Sequence, residues 1–172
     1  MRNIARNAGG FSLVELMLGI LLVGLIAGIG VPSMREMVRT SRLETAVSDF
    51  HVHMATARNT AIMYGRRISM APRGGSWNDG WQVFEDPNRN ARTDEGERIL
   101  AHGDAPQGIS IRSTGSTAAY VSFNALGQPS QLNGAFQAGT LLFCTSHGER
   151  RALVMSRSGR VRTERNPSQA CP

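Results

Sequence analysis

The residues with the clearest chemical potential lie near the end of the chain, in Gly159-Arg160-Val161-Arg162. In an extended segment residues two apart share a face, so Arg160 and Arg162 project together while Val161 turns inward. Each guanidinium is a planar fork of donors that suits a phosphate or a carboxylate. Two forks side by side, after a glycine that permits close approach, fit neighbouring phosphates of a polyanion. Arg157 and Arg165 flank the pair, and Arg150 and Arg151 lie just upstream. No aromatic residue falls between Arg150 and Pro172. That argues against base stacking and for phosphate contact independent of sequence. The alternative is a solvated basic strand, or one whose arginines pair with acids on neighbouring chains.

The charge distribution sharpens the choice. All 19 basic residues are arginine, a bias that genomic base composition explains as well as ligand chemistry does. Residues 11–147 hold 11 arginines and 11 acids and are neutral in sum. Residues 148–172 hold six arginines against two glutamates. A positive excess gathered at one end of a chain suggests a patch for a polyanion.

Other candidate chemistry is weaker. Asp86, Asn88, Asn90, Asp94 and Glu97 fall at positions 1, 3, 5, 9 and 12 of a calcium-loop spacing. Ala91 stands where that loop needs glycine and Arg92 adds a cation, so the stretch reads as a strand connection. His51 and His53 are two apart on a helix and face away from each other, which precludes a metal pair. Trp77 and Trp81 read as core or domain edge. Cys144-Thr145-Ser146-His147 is one zinc half-site without a second. No nucleophile elbow, phosphate loop or paired-carboxylate motif occurs, so neither an enzyme nor a cofactor or metal is expected.

The elements that must position these residues begin with an apolar run. From Phe11 to Val31 only Ser12 and Glu15 are polar. A helix of that length spans a bilayer. The run is longer than a signal-peptide core, and Gly30-Val31-Pro32-Ser33 is not a cleavage site, so the segment reads as a retained anchor. A carboxylate inside it costs about 2 to 3 kcal/mol and implies a use. The plain alternative is a single-pass anchor with Glu15 near the interface. Beyond Pro32, which kinks the helix, Leu43, Val47, Phe50, Met54, Ala57 and Ala61 form one apolar stripe. Arg39, Arg42, Glu44, Asp49 and Arg58 occupy the opposite face, and Gly65 is the stop.

After Gly65 short β-like segments alternate with Gly, Pro, Asn and Ser. They are 67–71, 80–84, 98–102, 109–112, 119–124, 140–144, 151–156 and 160–163. The fold class is therefore α+β, a long N-terminal helix packed on an antiparallel sheet. The expected divisions are a leader over 1–10, a helix over 11–63 with its membrane part at about 11–31, and a β-rich domain over 65–172. The even cysteine pair Cys144 and Cys171, in a domain outside the cytoplasm, reads as a disulfide that ties the chain end to the sheet.

Gly10-Phe11-Ser12-Leu13-Val14-Glu15-Leu16 resembles the leader junction of type IV prepilins and type II secretion pseudopilins. The resemblance implies that prepilin peptidase cuts between Gly10 and Phe11 and methylates the new amino terminus on Phe11. It implies that Glu15 pairs with the terminal amine of a neighbouring subunit during assembly, which suits a buried carboxylate. Gly80-Trp81-Gln82-Val83-Phe84-Glu85-Asp86-Pro87-Asn88, Phe123-Asn124-Ala125-Leu126-Gly127 and Ser158-Gly159-Arg160-Val161-Arg162 resemble the soluble domain of FimT/GspH-type minor pilins and pseudopilins.

In FimT-type minor pilins the Gly-Arg-x-Arg motif is associated with DNA uptake in natural transformation. Carried over, the resemblance implies DNA binding by Gly159, Arg160 and Arg162, with Arg157, Arg165, Arg150 and Arg151 in support. The implied setting is the inner membrane, with the globular domain in the periplasm and later on the cell surface in the pilus. The implied partners are other pilins, the peptidase and DNA, with no small-molecule substrate. The alternative within the family is a GspH-like minor pseudopilin with a structural role alone; a membrane-tethered enzyme is the alternative outside it.

Overall fold

The computed structural model describes residues 12–171, without the side chain of Ile29. The expected leader over 1–10, with the expected cleavage between Gly10 and Phe11 and methylation at Phe11, lies outside the described residues. The chain divides into two compact units, Met1–Val38 and Arg39–Pro172. Helix α1 (Leu13–Tyr64) enters both, and Pro32 lies within it.

In the first unit the large apolar side chains of α1, from Leu13 to Val38, are exposed around the helix. The helix is long and apolar enough to cross a membrane. A helix apolar on all sides requires lipid or other helices around it. Its start is capped locally, because the Glu15 amide donates to Ser12 Oγ at 3.2 Å. Ser12 and Glu15 stand at the spacing of a capping box.

The second unit holds the rest of α1 and eight strands: β1 (Ile68–Pro72), β2 (Trp81–Glu85), β3 (Ile99–Gly103), β4 (Ile109–Gly115), β5 (Val121–Phe123), β6 (Gly139–Thr145), β7 (Arg150–Met155) and β8 (Val161–Arg165). Every expected strand is present within a few residues. The expected single sheet is instead two four-stranded sheets, ordered β3-β2-β1-β5 and β4-β6-β7-β8. All pairings are antiparallel. Hairpins account for most of them, but β1–β5 and β4–β6 join segments far apart in sequence, and these contacts divide the strands between two sheets.

The stripe Leu43, Val47, Phe50, Met54, Ala57 and Ala61 is buried against both sheets. Phe50 is the hinge of this core. Its ring lies 4.7 Å from Trp81 on β2 and 5.6 Å from Phe143 on β6, with Trp77 at 5.1 Å. Each such aromatic pair adds about 0.5 to 1.5 kcal/mol beyond burial. Trp81 fits because its cross-strand partner is Gly103, where a Cβ would come within 2.2 Å of the indole. The core thus fixes β6, β7 and β8, and β8 is the outer strand that carries the arginines.

Candidate functional site

Arg162 and Arg165 lie on β8, and Arg160 immediately precedes it. All three are exposed, and Val161 packs on the core as its position between the arginines requires. The turn before β8 is closed by two backbone bonds, Ser156 N to Arg160 O and Gly159 N to Ser156 O, both 2.9 Å. Gly159 has φ 78°, a left-handed value that disfavours a side chain. It is buried, and a Cβ there would lie 3.0 Å from the Gly127 carbonyl and 3.1 Å from Pro129. The close approach that Gly159 permits is therefore to its own chain.

Arg58 holds this turn from the helix. Its Nε donates to Gly127 O at 3.0 Å and its Nη2 to Ser158 O at 3.5 Å. The helical pattern placed Arg58 on the solvated face; folding the 124–129 connection and the 156–159 turn over the helix leaves it half-buried. A groove of about 210 Å³ lies alongside, lined by residues that include His51, Arg58, Asn59, Gly159 and Arg160.

The remaining arginines differ in their commitments. Arg162 Nη2 contacts Glu164 Oε1 at 2.5 Å. Arg157 stands over the Phe136 ring, 4.0 Å from its centroid. Arg151 is spent on the fold: its Nε and Nη2 both reach Glu44 Oε1 at 2.8 Å, and its Nη1 donates to Arg150 O at 2.9 Å. Arg150 is half-buried beside Cys144 in register. Of the six arginines between residues 150 and 165, the exposed ones are thus Arg157, Arg160, Arg162 and Arg165.

Cys144 and Cys171 form a disulfide with a Cα separation of 5.9 Å. Cys171 packs with Leu142, Cys144, Ala152 and Val154, so the chain end after β8 folds back over one face of the second sheet. The bridge holds the arginine strand between two anchored ends.

The stretch 86–97 turns its first carboxylate inward. Asp86 is fully buried. It accepts from Ser69 Oγ at 2.5 Å and from the amides of Asn90 and Ala91 at 3.0 and 3.2 Å. Arg67 Nε stands 3.7 Å away, an ion-pair distance longer than a hydrogen bond. Ala91 adopts φ 54°, so the turn that glycine would favour is made without one. Asn88 and Asn90 both donate to Asp94 at 2.6 Å, and these bonds hold its carboxyl below the usual range. Among the described residues no group of three or more His, Cys, Asp or Glu is placed to hold a metal.

A second cavity, about 400 Å³, is lined by residues that include Arg42, Asp49, His53, Trp81, His102 and Asp104. Trp81 Nε1 donates to His53 Nδ1 at 3.0 Å, which requires the neutral tautomer with the proton on Nε2. Burial pulls the His53 pKa below its ordinary value; Asp49 opposes this and His102 adds to it. His51 lines the other groove, so the two histidines do face apart.

Residues 46–159 match the family model of the type II transport protein GspH. The matched span ends at Gly159, so Arg160, Arg162 and Arg165 lie beyond it. Two crystal forms of the type IV minor pilin FimU from Pseudomonas aeruginosa resemble the chain at 20% identity. They cover 78% and 74% of it and 96% of FimU, with TM-scores of 0.58 and 0.55. The minor pseudopilin EpsH from the type 2 secretion system of Vibrio cholerae resembles it at 11% identity, over 72% of this chain and 97% of that one, with a TM-score of 0.53. No curated protein matches.

Proposed function

Because the chain belongs to the FimT/GspH family of type IV minor pilins and type II secretion pseudopilins, we propose that it is a minor type IV pilin that carries DNA contacts on its outer strand. The observation that carries this is the exposed arginine edge, Arg160, Arg162 and Arg165 with Arg157 in the preceding turn. Guanidinium forks on one strand can follow a phosphate backbone with no base readout.

The helix supplies the filament half of the function. Prepilin peptidase removes the leader after Gly10 and methylates Phe11. The apolar helix then rests in the inner membrane as a single span, with the β domain in the periplasm. On assembly it exchanges lipid for the helices of other pilins, where Glu15 meets a neighbour's amino terminus. Exposed apolar side chains all around this helix support both settings. The work done is packing and electrostatics, without catalysis.

A second function is favoured by the likeness to EpsH and by the Arg162–Glu164 pair: a structural pseudopilin whose arginine edge meets acids on neighbouring subunits. The two functions separate in a titration of the unit Arg39–Pro172 with labelled duplex DNA at two salt concentrations. The DNA-binding function requires salt-sensitive binding that Arg160→Gln/Arg162→Gln weakens sharply. Binding absent at low salt, or unaltered in the double variant, leaves the structural role.

A further inference from the structure

The stretch around the arginine motif contains no aromatic residue, but the fold brings one from elsewhere. Phe136 lies in the connection between β5 and β6, and the Arg157 guanidinium sits over its ring at 4.0 Å. The ring is outside the hydrophobic core and is 52% exposed. Its backbone is nevertheless pinned. Phe136 bridges Ser130, and its carbonyl accepts from Gln131 Nε2 at 3.0 Å. The next residue, Gln137, is fully buried, accepts from Ser122 N at 2.9 Å and donates to the carbonyls of Ser116 and Tyr120 at 2.8 Å. The result is a half-exposed aromatic ring on a fixed base, with a flat cation over it, at the turn that leads into Gly159 and Arg160.

Resting on the DNA-binding proposal, we infer that Phe136 and Arg157 form a stacking step for unpaired bases, which makes single-stranded DNA the preferred ligand of the arginine edge. A base in a duplex is already stacked and offers only phosphates to the edge. An unpaired base has a free π-face that can lie on the guanidinium–phenyl stack, and this contact tolerates any sequence because every base has such a face. Arg160 and Arg162 follow the flanking phosphates. Phosphate contact alone, which the stretch 150–172 implies by itself, predicts no gain from bases.

The test uses the unit Arg39–Pro172, whose core and disulfide are internal to it. It is titrated with an oligothymidylate, an abasic strand of the same length, and a duplex. Oligothymidylate is expected to bind about tenfold tighter than the abasic strand, which has the same phosphates but no bases. Phe136→Ala is expected to erase that difference while leaving abasic and duplex affinities within about twofold of the parent. Phe136→Trp is expected to restore or widen it. Equal affinity of the parent for oligothymidylate and abasic strand overturns the inference. So does a Phe136→Ala that preserves the preference, or that lowers all three affinities alike.

Arg160→Gln/Arg162→Gln reports on the underlying proposal separately, since it lowers all three affinities if phosphates are held and none if they are not. Unchanged thermal midpoints of the variants exclude misfolding, which the exposure of Phe136 makes unfavourable as an explanation.

Discussion

Arg162 and Glu164 are joined on the outer strand, Nη2 to Oε1, at 2.5 Å. They are two residues apart on β8 and so share a face. The carboxylate occupies donors that a phosphate would need. Their side chains are 61% and 37% exposed, so the pair adds less than about 1 kcal/mol to the fold and can open. The outer strand is therefore a partly self-neutralised edge.

Glu164→Gln removes the competing charge and leaves the strand intact. Duplex affinity at low salt is expected to rise about two- to fivefold, read by fluorescence anisotropy. Unaltered or weaker binding would remove Arg162 from the phosphate contacts.

Asp86 links β1, β2 and the connection after β2 through Ser69, Asn90, Ala91 and Arg67. Asp86→Ala strands a buried guanidinium and the partnered donors. The expected loss is about 3 to 5 kcal/mol, visible as a lower urea midpoint. Added calcium is expected to leave the parent's midpoint where it is, since this carboxylate is already committed to protein donors.

The helical stripe from Leu43 to Ala61 was legible because burial on one helix face imposes its period on the sequence. The strands were legible because turn residues punctuate them. What escaped the sequence is long-range. The β1–β5 and β4–β6 pairings split the strands into two sheets, and no local pattern records which distant strands meet. Arg58 fell on the polar face by periodicity, yet the chain folds over it and uses its donors. Arg151 looked like part of the basic patch, but Glu44, a helix residue distant in sequence, takes its guanidinium. Phe136 was invisible as a site residue because only the fold places it under Arg157. The Ser12–Glu15 cap, by contrast, has a local signature in its spacing.

His53 couples the cavity beside Trp81 to pH. Burial lowers its folded pKa below 6.5, so the unfolded chain binds the proton more readily. Stability from this group is full above pH 6.5 and falls as pH drops toward the folded value. Protonation also places an N–H against the Trp81 donor. The thermal midpoint is expected to decline from pH 7.5 to 5.5, and His53→Gln is expected to flatten that decline. A profile equally steep in the variant would assign the effect to other groups.

The most direct measurement of the central claim is the salt dependence of duplex binding by Arg39–Pro172 and by its Arg160→Gln/Arg162→Gln variant. Each phosphate neutralised contributes about 0.9 to the slope of log affinity against log salt concentration. Loss of both arginines is expected to reduce the slope by about 1.8 and to weaken binding uniformly across sequences. A slope that stays the same in the double variant would contradict DNA contact through these two residues.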